Sequence, residues 1–506
     1  MIGVNMENRK RAESYNLLQK IDFGDIDGMY DPNLDSYFID RNYFSDVFTN
    51  NKFFIIGRKG TGKSALYNWT NIVASKTGDI CINILFNEFP FNRLLELKDN
   101  SFAQPYQYQT ICKNMILGQF AASIVADEKH FDNEQYNQLK YYVDNILGQG
   151  IDDCFRRTIN KVQEKAGGLT FPHITGSSSS KKEEELCFND GDLTQINSIL
   201  QKLIIEYLKI YSYNSKFIIQ IDGVDENYNQ VTALGNKMND YLQLVISLLK
   251  SVYGINQKFH QNKIKNAKCI VYLRSDIFNS IHALDPESAR WEQNMIVLSW
   301  VVEGHRWLNN DLRRMINARI SASIEKLKGI DGFSTIIDYQ VIDKRINRRI
   351  ESHLFEYMIN RTFHRPRDIL QFMIKIKESS IKEGTLNYKA FDLAEKEYSL
   401  WFLSEIRNEI SPQISDTNSL FSFLRIVGSK RISKSDFKKK YEKFEDKIGM
   451  NADDLINYLY NLGIISNVND KGEWFSIIRN EKSTFNPDIK LILHPGFWKG
   501  LYTSTF

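Results

Sequence analysis

Eight consecutive residues, Gly57, Arg58, Lys59, Gly60, Thr61, Gly62, Lys63 and Ser64, combine three glycines, a lysine and a terminal hydroxyl at the spacing G-x-x-x-x-G-K-[ST]. Those residue types at that spacing suit the binding of phosphate. Gly57, Gly60 and Gly62 let the backbone turn tightly, so that its N–H groups point inward at phosphate oxygens. Lys63 brings a point charge for β- and γ-phosphates, and the Ser64 hydroxyl is a suitable ligand for Mg²⁺. A helix opening near Lys63 and continuing through Ala65 adds its positive N-terminal end. The expected ligand is a nucleoside triphosphate with its metal, cradled by the residues from Gly57 to Ala65.

Hydrolysis requires more than a cradle: a second anchor for Mg²⁺ and a group that orients water. The stretch KFIIQID (216–222) is apolar nearly throughout and ends in an acid within DGVDE (222–226). Ligands of open α/β sheets bind at the carboxyl ends of strands, so Asp222 is the expected Mg²⁺ partner beside Ser64, directly or through water. Asp225 and Glu226 compete for the water-polarising role, and the sequence does not choose between them. Arg274 closes KCIVYLR (268–274) in the same way. It either points toward the γ-phosphate region or snorkels from a sheet end. Arg365 and Arg367 flank Pro366 in HRPRDIL, where proline suits a first helical turn. One of them reaches the nucleotide from a helical subdomain, or else forms a surface salt bridge with Asp368. Arg290, in DPESARW, is a candidate arginine finger across a subunit boundary.

The elements that must hold these residues read as alternating strands and helices. An apolar run, Phe53, Phe54, Ile55 and Ile56, precedes the glycine-rich loop. The helix after it is expected over about 62–75, with Ala65, Leu66, Trp69 and Ile72 facing inward. GDICINILF (78–86), KFIIQID, KCIVYLR and MIVLSW (295–300) read as further strands, which implies crossover units and a parallel sheet. An insert of about 87–214 reads as mostly helical, with AGGLTFPHITGSSSSKKEEEL (166–186) as a surface loop. Residues 303–407 carry no strong strand signal and read as helices. From Ser411 three short helices precede IISNV, a DKG turn and WFSIIR, which read as a β-hairpin, so a winged helix is expected. The predicted fold class is α/β: a P-loop NTPase parallel sheet with a helical insert, followed by an α-helical lid and a C-terminal winged helix. The expected divisions are an N-terminal extension (1–50, a short helix and a loop), a nucleotide domain (51–302), a lid (303–410) and a winged-helix-like domain (411–506).

A chain of 506 residues is too long for one ordinary core. Its formal charge of +3 gives no global field to attract nucleic acid. The five cysteines, Cys81, Cys112, Cys154, Cys187 and Cys269, are scattered without C-x-x-C pairing, which fits reduced thiols and argues against zinc. The N-terminus MIGVNMENRKR lacks a signal-peptide core, and LQLVISLLKSVY is too short to span a bilayer. A cytoplasmic protein without membrane contact is expected. Lysines 430–447 with Arg431 form a basic segment near the C-terminus. The expected recognition helix, NADDLINYLYNLG, begins with Asp453 and Asp454 and contains no Lys or Arg. Base reading normally uses Arg, Lys, Asn or Gln there, so a protein-contact role is favoured over sequence-specific DNA binding. Arg313, Arg314, Arg345, Arg348 and Arg349 read as solvent-facing charges.

Taken together, GRKGTGKS, a buried strand ending in DGVDE, a strand ending in Arg274 and the motif FHRPRDIL resemble the AAA+/STAND branch of P-loop ATPases. More narrowly, the chain is similar to a P-loop ATPase family of prokaryotic antiviral defence loci, over about residues 40–407. The resemblance implies Walker A residues at Gly57, Gly60, Gly62, Lys63 and Ser64, and Walker B at Asp222 with Asp225 or Glu226. It implies sensor 1 at Arg274 and sensor 2 at Arg365 or Arg367. It further implies Mg²⁺-dependent ATP hydrolysis that switches between ATP and ADP arrangements, assembly into a homo-oligomer when triggered, and a separate effector protein. The insert before Walker B is longer than in a compact AAA+ module. The alternative is an initiator-like or loader-like ATPase that grips DNA through the winged helix. A phosphotransferase is disfavoured, because no acceptor-binding lid stands out.

Overall fold

The Ile-, Val- and Phe-rich runs form one parallel sheet. In the computed structural model, which describes residues 2–85, 108–147, 193–211, 214–224, 237–301, 310–337, 354–411, 413–414 and 416–502, five strands share it. These are β1 (Phe54–Gly57), β2 (Ile80–Leu85), β3 (Phe217–Asp222), β4 (Ala267–Arg274) and β5 (Met295–Val297), in the order β2-β3-β4-β1-β5. β1 and β3 are buried at every position, as strands covered by helices on both faces must be. The Gln109–Ala126 helix packs against β3 and against the helices Leu193–Ile210 and Lys237–Gln261. Its Ile116, Leu117 and Phe120 join Ile219, Leu244 and Val271 in one core.

The chain divides into two compact units, one of Asp40–Lys59 and Leu66–Leu298, the other of Met1–Ile39, Gly60–Ala65 and Ser299–Phe506. The first holds the sheet. The second is built on helices Asp311–Ser323, Leu354–Ile359, Pro366–Glu383 and Tyr388–Ile410, with Ile2–Lys20 packed among them. Pro366 opens its helix at the first position and Gly384, at φ 66°, closes it. The N-terminal segment is fixed by a buried ion pair, Arg319 to Asp31 at 3.2 Å, with the Arg319 guanidinium over the Tyr37 ring. Helices Thr417–Val427, Lys434–Tyr441 and Ala452–Leu462 then lead into an antiparallel sheet of β6 (Ile465–Val468), β7 (Trp474–Phe475) and β8 (Lys490–Leu493), ordered β7-β6-β8. No helix among the described residues is long and apolar enough to cross a membrane.

Several expectations need correction. The helix after the glycine-rich loop spans Lys63–Thr77, and beyond its first residue the buried positions are Leu66, Tyr67, Thr70 and Ala74. Ala65, Trp69 and Ile72 are only half-buried, so the apolar face was misphased. The sequence MIVLSW yields only three strand residues. The expected C-terminal hairpin is a three-stranded sheet: WFSIIR pairs only at Trp474 and Phe475, and the strand that completes β6 comes from Lys490–Leu493. The N-terminal helix is 19 residues long. Arg313 is not solvent-facing: it is buried and bonded to Asp331 and Ser334, whereas Arg314 is exposed beside Asp311. The 166–186 loop and Arg345, Arg348 and Arg349 lie outside the described residues.

Candidate functional site

Strand register sets where the sheet's charged ends fall. Gly57, the last residue of β1, pairs with Arg274, the last residue of β4. On the other side of β4, Ile221 pairs with Val271, so β3 stops at Asp222 while β4 runs on to Arg274. Asp222 therefore lies two strands from β1, roughly 10 Å across the sheet, and about two residues below Arg274. All three ends are carboxyl ends on one edge, with β4 between β1 and β3. Asp222 is buried and accepts the N–H of Gly223 at 2.8 Å. Arg274 is clamped by Asp276 through two hydrogen bonds, Nε to Oδ1 at 3.1 Å and a terminal nitrogen to Oδ2 at 2.6 Å. Asp225 and Glu226 lie outside the described residues. Arg290 is exposed on the Pro286–Asn294 segment.

Beneath this edge sits a polar residue that the apolar reading of KFIIQID passed over. Gln220 is fully buried, and its side-chain amide nitrogen reaches the Tyr67 carbonyl at 3.2 Å, Asn71 at 3.1 Å and Asn83 at 3.1 Å. The Tyr272 hydroxyl donates to its carbonyl oxygen. One side chain thus ties β2, β3, β4 and the Lys63–Thr77 helix together just below Asp222. Burial raises the Tyr272 pKa well above that of a free phenol, which keeps the donor protonated.

The loop after β1 turns at Gly60 and Gly62, whose φ values of 79° and 95° belong to the left-handed region that glycine tolerates. A Cβ on Gly62 would meet open space among the described residues. Thr61 and Lys63 are buried, while Arg58, Lys59, Gly60, Ser64 and Ala65 are half-buried. Lys63 and Ser64 open the 15-residue Lys63–Thr77 helix. Two close neighbours were not foreseen. The Trp300 indole N–H donates to the Thr61 carbonyl at 2.8 Å. Gly28 is so near that a Cβ there would lie 2.4 Å from the Ala65 Cβ. The glycine of GDIDGMY was the signal for that approach; nothing in the sequence distinguished Trp300.

Arg365 and Arg367 lie against the same loop with opposite fates. The Arg367 N–H meets the Gly60 carbonyl at 3.4 Å, and a Cβ on Gly60 would come within 3.2 Å of the Arg367 Cβ. The Arg365 guanidinium is buried and held by Asp368 at 3.0 Å and Glu409 at 2.8 Å. The pairing with Asp368, one of the two alternatives read from the sequence, is buried and not on the surface. Burial alone would lower the Arg365 pKa, but the two carboxylates carry it above the ordinary arginine value, so the charge is fixed. Arg367 makes one longer ion pair, to Glu405 at 3.4 Å, and its buried Nε donates no hydrogen bond among the described residues.

At the C-terminal end, Asp453 pairs with Lys434 at 2.8 Å and Lys438 at 2.6 Å. Two cations of the basic segment are therefore already engaged by the helix expected to face DNA.

In one unit, two left-handed glycines with open space over Gly62 lead into a long helix opened by Lys63 and Ser64; in the other, the carboxyl ends of the sheet carry an acid and an arginine.

Comparison with known proteins adds a location on the chain. Residues 310–407 match the family described as the FunZ-associated C-terminal helical domain. The match coincides with the helices that carry Arg365, Arg367, Glu405 and, at its edge, Arg407. The chain is also 22% identical over 516 residues to an Escherichia coli (strain K12) protein named for transposon gamma-delta and its 80.3 kDa mass. The alignment takes in 95% of this chain and 66% of that relative, so the chain spans just under two thirds of the relative's length. No solved structure matches.

Proposed function

We propose that the chain is an Mg²⁺-dependent ATPase of the AAA+/STAND kind, a P-loop switch whose helical lid reports the state of the nucleotide. The observation that carries this reading is the contact of the residue after Pro366 with the glycine-rich loop: the Arg367 N–H on the Gly60 carbonyl. A turn that only connected a strand to a helix would have no need of an arginine-bearing helix start laid on it.

In this reading the N–H groups from Gly60 to Ser64, with Lys63, hold the phosphates, and Ser64 and Asp222 take the metal role. Bound Mg²⁺ supplies charge neutralisation at the phosphate oxygens. Gly57 and Arg58 lead the chain out of β1 into the cradle, Lys59 and Thr61 frame it, and Ala65 continues the helix under Gly28. Arg274, held by Asp276, stands level with the end of β1 as a fixed positive charge. Asp225 or Glu226 orients water. Arg367, less buried and less tightly paired than Arg365, takes the lid's contact with the terminal phosphate.

The C-terminal helices and sheet are proposed as a winged helix used for protein contact, with homo-oligomeric assembly and a separate effector as its outputs. Support comes from the Asp453 pairs with Lys434 and Lys438, which leave that surface less cationic than its lysine count suggests. A setting in a defence or mobile-element locus is supported by the FunZ-associated match and by the transposon named in the E. coli relative. DNA gripping through the winged helix is the second reading, favoured by the lysines that Asp453 does not engage, such as Lys439 and Lys443. Size measurement with ATP, with ADP and with neither tests the choice. Assembly driven by ATP alone supports the switch, whereas turnover that requires duplex DNA supports the second reading.

A further inference from the structure

We infer that Glu405 is the resting counter-ion of Arg367, and that a terminal phosphate must displace it before the lid can engage the nucleotide. This rests on the nucleotide reading above. The two motif arginines are built differently although they lie two residues apart. Arg365 is held by Asp368 and Glu409 at 3.0 and 2.8 Å and is inaccessible. Arg367 keeps its stem against Gly60, its side chain is about a quarter exposed, and its ion pair is a single longer one at 3.4 Å. A guanidinium has a planar fork of donors that a phosphate satisfies more fully than one carboxylate oxygen at 3.4 Å. Arg367 is thus the one of the pair able to exchange partners, and Glu405 is the partner it must leave.

Glu405 and Glu409 stand one turn apart on the Tyr388–Ile410 helix. The same helix anchors the C-terminal sheet region. Glu395 is bonded to Arg361 at 2.5 Å and Lys499 at 2.7 Å, and Ser399 donates to the Gly496 carbonyl at 2.6 Å while accepting the Gly500 N–H. From Glu405 to Glu395 is about 15 Å along one helix. Release of Glu405 therefore acts on the element that carries the C-terminal anchor, with no flexible joint between. Glu405 is a positioning residue, and it works through Arg367.

The test is calorimetric titration of the full chain with ATP and with ADP, each with Mg²⁺, for wild type, Glu405→Gln, Arg367→Ala and the double variant. Glu405→Gln is near-isosteric and keeps Asp368 and Glu409, the two carboxylates that hold Arg365. We expect it to tighten ATP roughly three- to tenfold, because Arg367 no longer has to be freed, and to leave ADP within about twofold. In the Arg367→Ala background the same substitution should have no effect on ATP. Equal changes for ATP and ADP, no change at all, or an undiminished gain without Arg367 would each overturn the assignment. Wild type that binds neither nucleotide would instead remove the nucleotide reading itself, whereas wild type that binds ATP while Glu405→Gln changes nothing removes only the role of Glu405.

Discussion

The backbone N–H of Arg367 lies 3.4 Å from the carbonyl oxygen of Gly60, which joins the first turn of the Pro366–Glu383 helix to the glycine-rich loop. Two constraints converge on Gly60: a φ of 79° and an Arg367 Cβ that a new methyl would approach to 3.2 Å. Gly62 has the same backbone constraint, φ 95°, with open space above it. Alanine at either position should cost about 1–2 kcal/mol from the backbone alone. Gly60→Ala alone should also shift Arg367 and blunt the ratio of ATP to ADP affinity. Thermal unfolding with nucleotide titration separates the two effects; equal ratios in the two variants would show that the Gly60 contact has no functional part.

Gln220 makes a stability prediction. Gln220→Leu keeps the volume near constant but strips the acceptor from the buried Tyr272 hydroxyl and a donor from half-buried Asn71 and exposed Asn83. The expected loss is about 2–3 kcal/mol, read as a lower urea midpoint. A loss below about half a kcal/mol would mean that the network does not hold the strands.

Lys268 predicts a pH dependence. It is buried at the start of β4, donates to Asn51, and burial lowers its pKa from 10.5 to about 8. Between those values the unfolded chain binds more protons than the folded one, so this group makes stability rise with pH from about 8 to 10.5. Its full penalty is present below pH 8. Lys268→Met removes that penalty and leaves Asn51 without its donor at every pH. The stability of this variant relative to wild type should therefore be more favourable at pH 7 than at pH 10, measured by urea unfolding at both. A difference that does not change with pH would contradict the burial argument.

Asp453 bears on the DNA question. Asp453→Ala releases Lys434 and Lys438, which it now holds at 2.8 and 2.6 Å. The variant should bind duplex DNA several-fold more tightly than wild type at low salt, with a steeper salt slope. Unchanged binding would show that these lysines do not face a duplex at all.

How much of this was legible beforehand varied with the physics involved. Strands buried on both faces, such as Phe217–Asp222 and Ala267–Arg274, announce themselves as apolar runs, and their acidic and basic ends stand out against that background. The turn at Gly60 and Gly62 was readable because only glycine is at ease at those φ values. Gln220 was missed because a single amide in an apolar strand does not disclose its partners, which come from residues 52 to 153 positions away. The face of the Lys63–Thr77 helix was misphased because Trp69 and Ile72 are apolar yet half-buried, while Thr70 is buried and bonded to the Leu66 carbonyl. Arg365 and Arg367 could not be ranked from FHRPRDIL. Their difference depends on Glu405 and Glu409, about 40 positions further along the chain.

The most direct measurement is the titration of ATP into wild type, Lys63→Ala and Asp222→Asn, with and without Mg²⁺. Wild type should bind saturably and more tightly with Mg²⁺, Lys63→Ala should lose at least about tenfold, and Asp222→Asn should keep binding without the Mg²⁺ enhancement. Equal affinity in all three proteins, or an Mg²⁺ effect indifferent to Asp222, would contradict the nucleotide reading.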